Sequence, residues 1–166
     1  MSIQLAQKAF HEACDIIGDN FRKPAAEVMV LAIGGQESKF LARRQIIKKD
    51  GKLVPLGPAT SWWQFEENGG VRGVLTHPAN EKMERRLCSV RGVPYEKHAV
   101  WEAMQYDDVL GAGMARMLLA SDSRRLPAIG DVEGAWRYYL SIWRPGKPHQ
   151  ATWAKAYADA RAMVGV

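Results

Sequence analysis

Residues 24–38, Pro-Ala-Ala-Glu-Val-Met-Val-Leu-Ala-Ile-Gly-Gly-Gln-Glu-Ser, are the segment that most limits what this chain can become. Pro24 suits a first helical turn, and the run through Val28, Met29, Leu31, Ala32 and Ile33 is apolar almost all round, leaving no polar face to turn toward water. Such a helix belongs inside a domain, so the rest of the chain must supply elements that cover it. Glu37, at the C-terminal end, is thereby placed at the edge of an interior and not on an ordinary charged surface.

The covering elements read as helices. Ser2 can cap a first one, with Leu5, Phe10, Ala13, Cys14 and Ile17 roughly on one face and Gly18 suited to its end. Thr76 with Pro78 opens a helix over 82–90, and Pro94 precedes another through Val100 and Met104. A further one starts near Asp107 and carries Val109, Leu110, Met114, Met117 and Leu118. Asp131 can cap a helix with Ala135, Trp136, Tyr139, Leu140 and Trp143, which Arg144-Pro-Gly-Lys-Pro148 ends, and a last helix spans about 149–164. Trp101, Trp136, Trp143 and Trp153 sit among apolar neighbours at helical spacing and are expected in the core.

After Glu37 the period changes. Ile46-Ile-Lys-Lys49 and Lys52-Leu-Val-Pro55 flank Asp50-Gly51, a two-residue β-hairpin signal. Residues 57–73, rich in Gly, Pro, Ser and aromatics, read as a structured loop with a short helical turn, a common place for a site. There is no repeat, low-complexity tract or linker, and 166 residues with 47% hydrophobic content fill one core. The expectation is a single, mainly α domain over 1–166, with a small β-hairpin following the buried helix.

A net charge of +5 suits an anionic partner: nucleic acid, a membrane surface or an acidic wall polymer. The basic residues come as scattered pairs, Arg43-Arg44, Lys48-Lys49, Arg85-Arg86 and Arg124-Arg125, with no groove-reading motif to organise them, so nucleic acid is not the expected partner. Cys14 and Cys88 lack the spacing of a zinc site and are too few for a disulfide framework, leaving one bridge open. His11, His77, His98 and His149 are isolated, and no phosphate-binding, zincin, nucleophile-elbow or dinucleotide motif occurs. No metal or organic cofactor is expected. The first residues are too polar for a secretory signal, and no segment approaches a membrane span. A monomer made in the cytoplasm is expected, without stable membrane insertion, and carried by something else to any target beyond it.

The chemistry concentrates in Ala32-Ile-Gly-Gly-Gln-Glu37-Ser38-Lys39-Phe40 and, after the hairpin, Gly57-Pro-Ala-Thr-Ser61-Trp62-Trp63-Gln64-Phe65-Glu66. The Glu-Ser-x-Phe step at the end of an apolar helix resembles the catalytic motif of lytic transglycosylases and goose-type lysozymes. Ser61-Trp62-Trp63-Gln64 is similar to their second motif, a glycine and a short apolar stretch ending in Met-Gln, but has two tryptophans where Leu-Met is usual. Ala135-Trp136-Arg137-Tyr138-Tyr139-Leu140-Ser141 stands where that family carries Ala-Tyr-Asn-Ala-Gly, with only the tyrosine matching. The stretch 62–78 is similar to phage-encoded wall-degrading proteins, which implies an endolysin or a virion-associated lysin.

The resemblance implies a lysozyme-like fold acting on peptidoglycan glycan strands, with Glu37 as general acid and then base, forming a 1,6-anhydro sugar without consuming water. Glycosidic cleavage needs a carboxyl that stays protonated near neutral pH, and an apolar setting raises a carboxyl pKa, as it does for the acid glutamate of lysozyme. A hydrolase would need a second acid, for which Glu66 and Asp50 are the candidates; Asp50 also reads as a turn former. Ser38 can bond the carboxylate or close the helix, and the Gln64 amide can bind an acetamido group. Phe40, Trp62 and Trp63 are further candidates for contact with sugar, one of the tryptophans stacking and the other packing inward. Tyr138 and Tyr139 point about 100° apart on a helix, so one faces the cleft; Tyr138 is expected to touch Glu37 and Tyr139 to pack. Alternatives are a hydrolysing muramidase and a non-catalytic wall-binding or virion protein.

Overall fold

A computed structural model describes residues 2–166. Among these the chain is mainly helical, with eight α-helices and two small antiparallel ladders. Helix α1 (Ser2–Ile17) buries Ala6, Ala9, Phe10, Ala13, Cys14 and Ile17, a stripe at helical spacing, and Gly18 at φ 129° releases the chain. Leu5, expected on that stripe, is 55% exposed. It lies two turns before Glu12, at the edge of the face that Ala6 and Phe10 define.

Helix α2 (Pro24–Ser38) is the interior helix: every residue from 26 to 34 is buried. Its one internal charge, Glu27, receives Gln7 Nε2 and His11 Nε2, each at 2.8 Å. Helices α4 (Glu81–Val90), α5 (Lys97–Ala103), α6 (Asp108–Ala120), α7 (Val132–Trp143) and α8 (Gln150–Val164), with the single turn α3 (Arg72–Leu75), complete the helical set. The pair α2 and α8 packs more extensively than any other pair of elements, with Gly35 facing Ala156 so closely that an added Cβ would touch the alanine's Cβ at 3.4 Å.

Three helices, α5, α6 and α7, are capped by side-chain carboxylates. Asp107 accepts from Leu110 N at 3.0 Å and Asp131 from Gly134 N at 2.8 Å, where the sequence placed helix starts. Two starts differ from expectation. Thr76 closes α3, its hydroxyl donating to Arg72 O, and α4 begins only at Glu81; α5 is capped by Glu96, which accepts from His98 N and Ala99 N.

The hairpin pairs β1 (Ile47–Lys49) with β2 (Lys52–Val54) around Asp50 at φ 51° and Gly51 at φ 78°, the two left-handed residues of a type I′ turn. Residues 57–73 hold more than a loop: β3 (Ala59–Thr60) pairs with β4 (Phe65–Glu66), and a wide helical turn over Glu67–Val71 leads into α3.

The buried apolar side chains form one continuous cluster. Cys14 and Cys88 are both buried and free, and burial pushes each thiol up to about 11. Among the described residues no helix is long and apolar enough to cross a membrane.

Glu84 has no exposed surface and lies on the inner face of α4, one turn after Asn80 and one before Leu87 and Cys88. The Tyr95 hydroxyl is 2.9 Å from Leu75 O and 2.9 Å from Glu84 Oε2, while Glu84 Oε1 has no partner among the described residues. A hydroxyl carries one proton, so both contacts are hydrogen bonds only when the carboxyl brings a proton of its own. Glu84 then donates to Tyr95 Oη, and Tyr95 donates to Leu75. Burial pushes the Glu84 carboxyl up to about 7, assisted by the charge of Glu81 and opposed by the hydrogen bond that Tyr95 donates to the carboxylate when it is ionised.

Candidate active site

A groove of about 1350 Å³ runs between the end of α2 with the β3–β4 ladder on one side and the segment after α6 with α7 and the 144–149 loop on the other. Glu37 lines it, because the left-handed Lys39 at φ 53° ends α2 one turn after its buried stretch and leaves the carboxyl at the interior's rim. Glu37 has no cationic partner among the described residues. Its one hydrogen bond there comes from Tyr139 Oη, 2.5 Å from Oε1. Burial raises the Glu37 pKa above the ordinary carboxylate value, and the Tyr139 hydrogen bond opposes that rise. Tyr139 is itself pushed up, first by burial and then by the adjacent carboxylate.

The expected roles of the two tyrosines are therefore reversed. Tyr139 lies three residues after Trp136 on the face of α7 turned to α8, and its ring stacks on Trp153 at 5.2 Å and 15°. Tyr138 points toward the end of α6, donates to Leu119 O at 3.3 Å, and lies under the Arg124 guanidinium.

Ser38 does not bond the carboxylate. Its hydroxyl donates to Gly34 O and accepts from Phe40 N, both at 3.1 Å, closing the helix. Phe40, Trp62 and Trp63 are buried and offer no sugar-stacking face, contrary to expectation. Phe40 folds back against Gly34, so that a Cβ there would meet its ring at 2.6 Å, and it meets Trp62 edge-on at 5.6 Å. The Trp62 ring is covered by Arg43, 4.2 Å above its centroid and held by Asp108 through two 2.7 Å bonds. Trp63 turns inward to donate to Val30 O at 2.8 Å. Both tryptophans are drawn in by the tight 61–64 turn, whose ends Ser61 and Gln64 sit at φ 64° and 51° and whose Ser61 Oγ accepts from Trp63 N.

Gln64 does line the groove, with its Nε2 donating to Ser61 O at 2.8 Å. Glu66 lines it as an exposed carboxylate. Asp50 does not: it occupies the exposed hairpin turn, where its left-handed backbone is its structural role.

The 144–149 loop of the far wall was not read from the sequence as part of a site. Trp143 and Trp101, expected in the core, are only half-buried. Trp143 lines the groove, donates to Trp63 O at 3.1 Å and meets Phe65 edge-on at 5.2 Å, which anchors the start of the 144–149 loop. Gln36, the neighbour of Glu37, anchors its end by donating to His149 O at 2.9 Å. Between the anchors, Arg144 and Lys147 line the groove with no acidic partner among the described residues. Asp122 and Arg124 also reach it, but as a pair, with Arg124 further held on Ser141 Oγ at 2.7 Å. With this pair neutralised, the three cations Arg44, Arg144 and Lys147 outnumber the two carboxyls Glu37 and Glu66 along the groove. The sequence signal for this loop was two cations around Pro145-Gly146, which read as a helix terminator.

No group of three or more His, Cys, Asp or Glu side chains that could hold a metal occurs among the described residues. Comparisons of the chain with protein-family models, with curated proteins and with solved structures find no match.

Proposed function

We propose that the chain is a single lysozyme-like domain that cleaves the β-1,4 linkage between N-acetylmuramic acid and N-acetylglucosamine in peptidoglycan, by the transglycosylase route. The observation that carries this reading is Glu37: a carboxyl lining a long groove, raised in pKa by burial, without a cationic partner among the described residues and touched by the Tyr139 hydroxyl. A raised pKa suits such a group to give a proton to a bridging oxygen. The muramic acid 6-hydroxyl then attacks C1, the ionised Glu37 takes that hydroxyl's proton, and a 1,6-anhydro sugar forms. This route needs no second acid, in keeping with the single hydrogen bond that Glu37 makes among the described residues. The mainly helical fold, with a hairpin directly after the acid-bearing helix, supports the lysozyme-like reading. The unpaired cations of the 144–149 loop favour an anionic polymer.

Glu66 in the same groove favours a second reading, a hydrolase in which it activates water. Mass spectrometry of fragments released from purified walls separates the two. Muropeptides lighter by one water support the transglycosylase; hydrated reducing ends support the hydrolase. Glu37→Gln should retain the helical fold and stop fragment release, and retained release would overturn both. Binding to walls without any released sugar would favour a non-catalytic wall-binding or virion protein. Within this proposal the protein is a phage-type lysin, reaching the wall through a holin-type lesion or on a virion.

A further inference from the structure

Residues 41–60 carry five arginines and lysines against one acid, Asp50, so four of the chain's five net positive charges fall in twenty residues. The same segment holds four of the nine large apolar side chains that are exposed among the described residues: Leu41, Ile46, Leu53 and Leu56. Tyr106, a fifth, shares a shallow depression with Ile46, Leu53 and Pro55.

The hairpin register arranges these groups. Lys48 lies opposite Leu53 and on the same face, while Lys49 lies opposite Lys52 on the other. Like charges directly opposed weaken a ladder of only three residues a strand, and neither they nor Lys48 has an acidic partner among the described residues. Leu53 is 76% exposed, although nothing in the fold requires an apolar side chain there. Clustered exposed apolar groups mark an interaction surface, and unpaired lysines beside them mark an anionic one.

We infer that the hairpin end is a docking surface for an anionic lipid bilayer. Leu53, Leu56 and Ile46 enter the headgroup layer, and Lys48, Lys49 and Lys52 lie against lipid phosphates on flexible stems. The apolar half of the patch is what selects a lipid surface, since a soluble polyanion gains from the lysines and nothing from the leucines. Ala42, Arg44 and Ile46 line both this depression and the groove, so a docked molecule holds the groove beside the membrane. The contact is peripheral and is independent of what the groove cleaves.

Cosedimentation of the full chain with vesicles tests it. The protein should sediment with phosphatidylcholine vesicles containing phosphatidylglycerol, remain in solution with phosphatidylcholine alone, and be released by added salt. Leu53→Ser with Leu56→Ser should lower partitioning by about ten-fold or more with every lysine intact. Lys48→Gln with Lys49→Gln and Lys52→Gln should lower it similarly. All five side chains are exposed, and an unchanged helical spectrum and melting curve confirms that each variant folds. Failure to bind the anionic vesicles overturns the proposal. So does a leucine variant that binds them as well as the parent while the lysine variant loses both vesicles and a heparin column, since the patch is then a polyanion contact.

Discussion

The hydrogen-bond arrangement around Glu84 predicts a specific pH dependence of stability. The folded carboxyl titrates at about 7 against 4.5 for an ordinary glutamate, so the native state holds the proton more tightly than the unfolded chain. The resulting stabilisation is complete below about pH 4.5 and is lost as pH rises through about 7. Linkage puts its size at about 3 kcal/mol. For a chain of this length that is roughly 6 to 12 °C in Tm. Other groups titrate over the same range, so the informative comparison is with Glu84→Gln, which fills the same space and gives Tyr95 Oη an N–H in place of the acid's O–H. Thermal unfolding of both proteins, followed by circular dichroism from about pH 3.5 to 8.5, should give a difference that is flat at the acid end, moves against the parent between about pH 4.5 and 7 by about the amount above, and is flat again beyond. A Gln variant that tracks the parent over the whole range would refute the proton count.

Tyr139→Phe removes the bond that holds the Glu37 pKa down, so the alkaline limb of the rate profile on purified walls should move to higher pH; Tyr138→Phe should leave that limb in place. Glu66→Gln should change the rate by no more than a few-fold if no second acid is used, whereas a loss of about a hundred-fold or more would identify Glu66 as the partner acid. Gly34→Ala brings a Cβ to 2.6 Å from the Phe40 ring and 3.2 Å from Trp63 Nε1, and should lower stability by about 1 to 3 kcal/mol in urea unfolding despite the better helix propensity of alanine.

What could be read from the sequence divides along physical lines. Signals that act through neighbouring residues were legible: Pro24 starting α2, the Asp107 and Asp131 caps, and the Asp50-Gly51 turn. The buried helix ending at Glu37 was legible because an apolar surface on every side admits one placement. Orientation across the fold was not. Choosing between Tyr138 and Tyr139 needs the position of α8, which the α7 sequence does not encode. Trp62 and Trp63 look like a stacking platform until the left-handed Ser61 and Gln64 turn them inward. Glu84 sits in a helix that reads as polar, yet its spacing from Asn80, Leu87 and Cys88 marks one face, a pattern that was present and unread.

The packing of α2 against α8 sets a timetable during synthesis. The ribosome releases residues 24–38 more than a hundred residues before their main partner at 150–164, an interval of roughly 5 to 20 seconds at ordinary elongation rates. For that time an oily helix waits without its cover, inviting chaperones, and the acid at its tip has no cleft to work in.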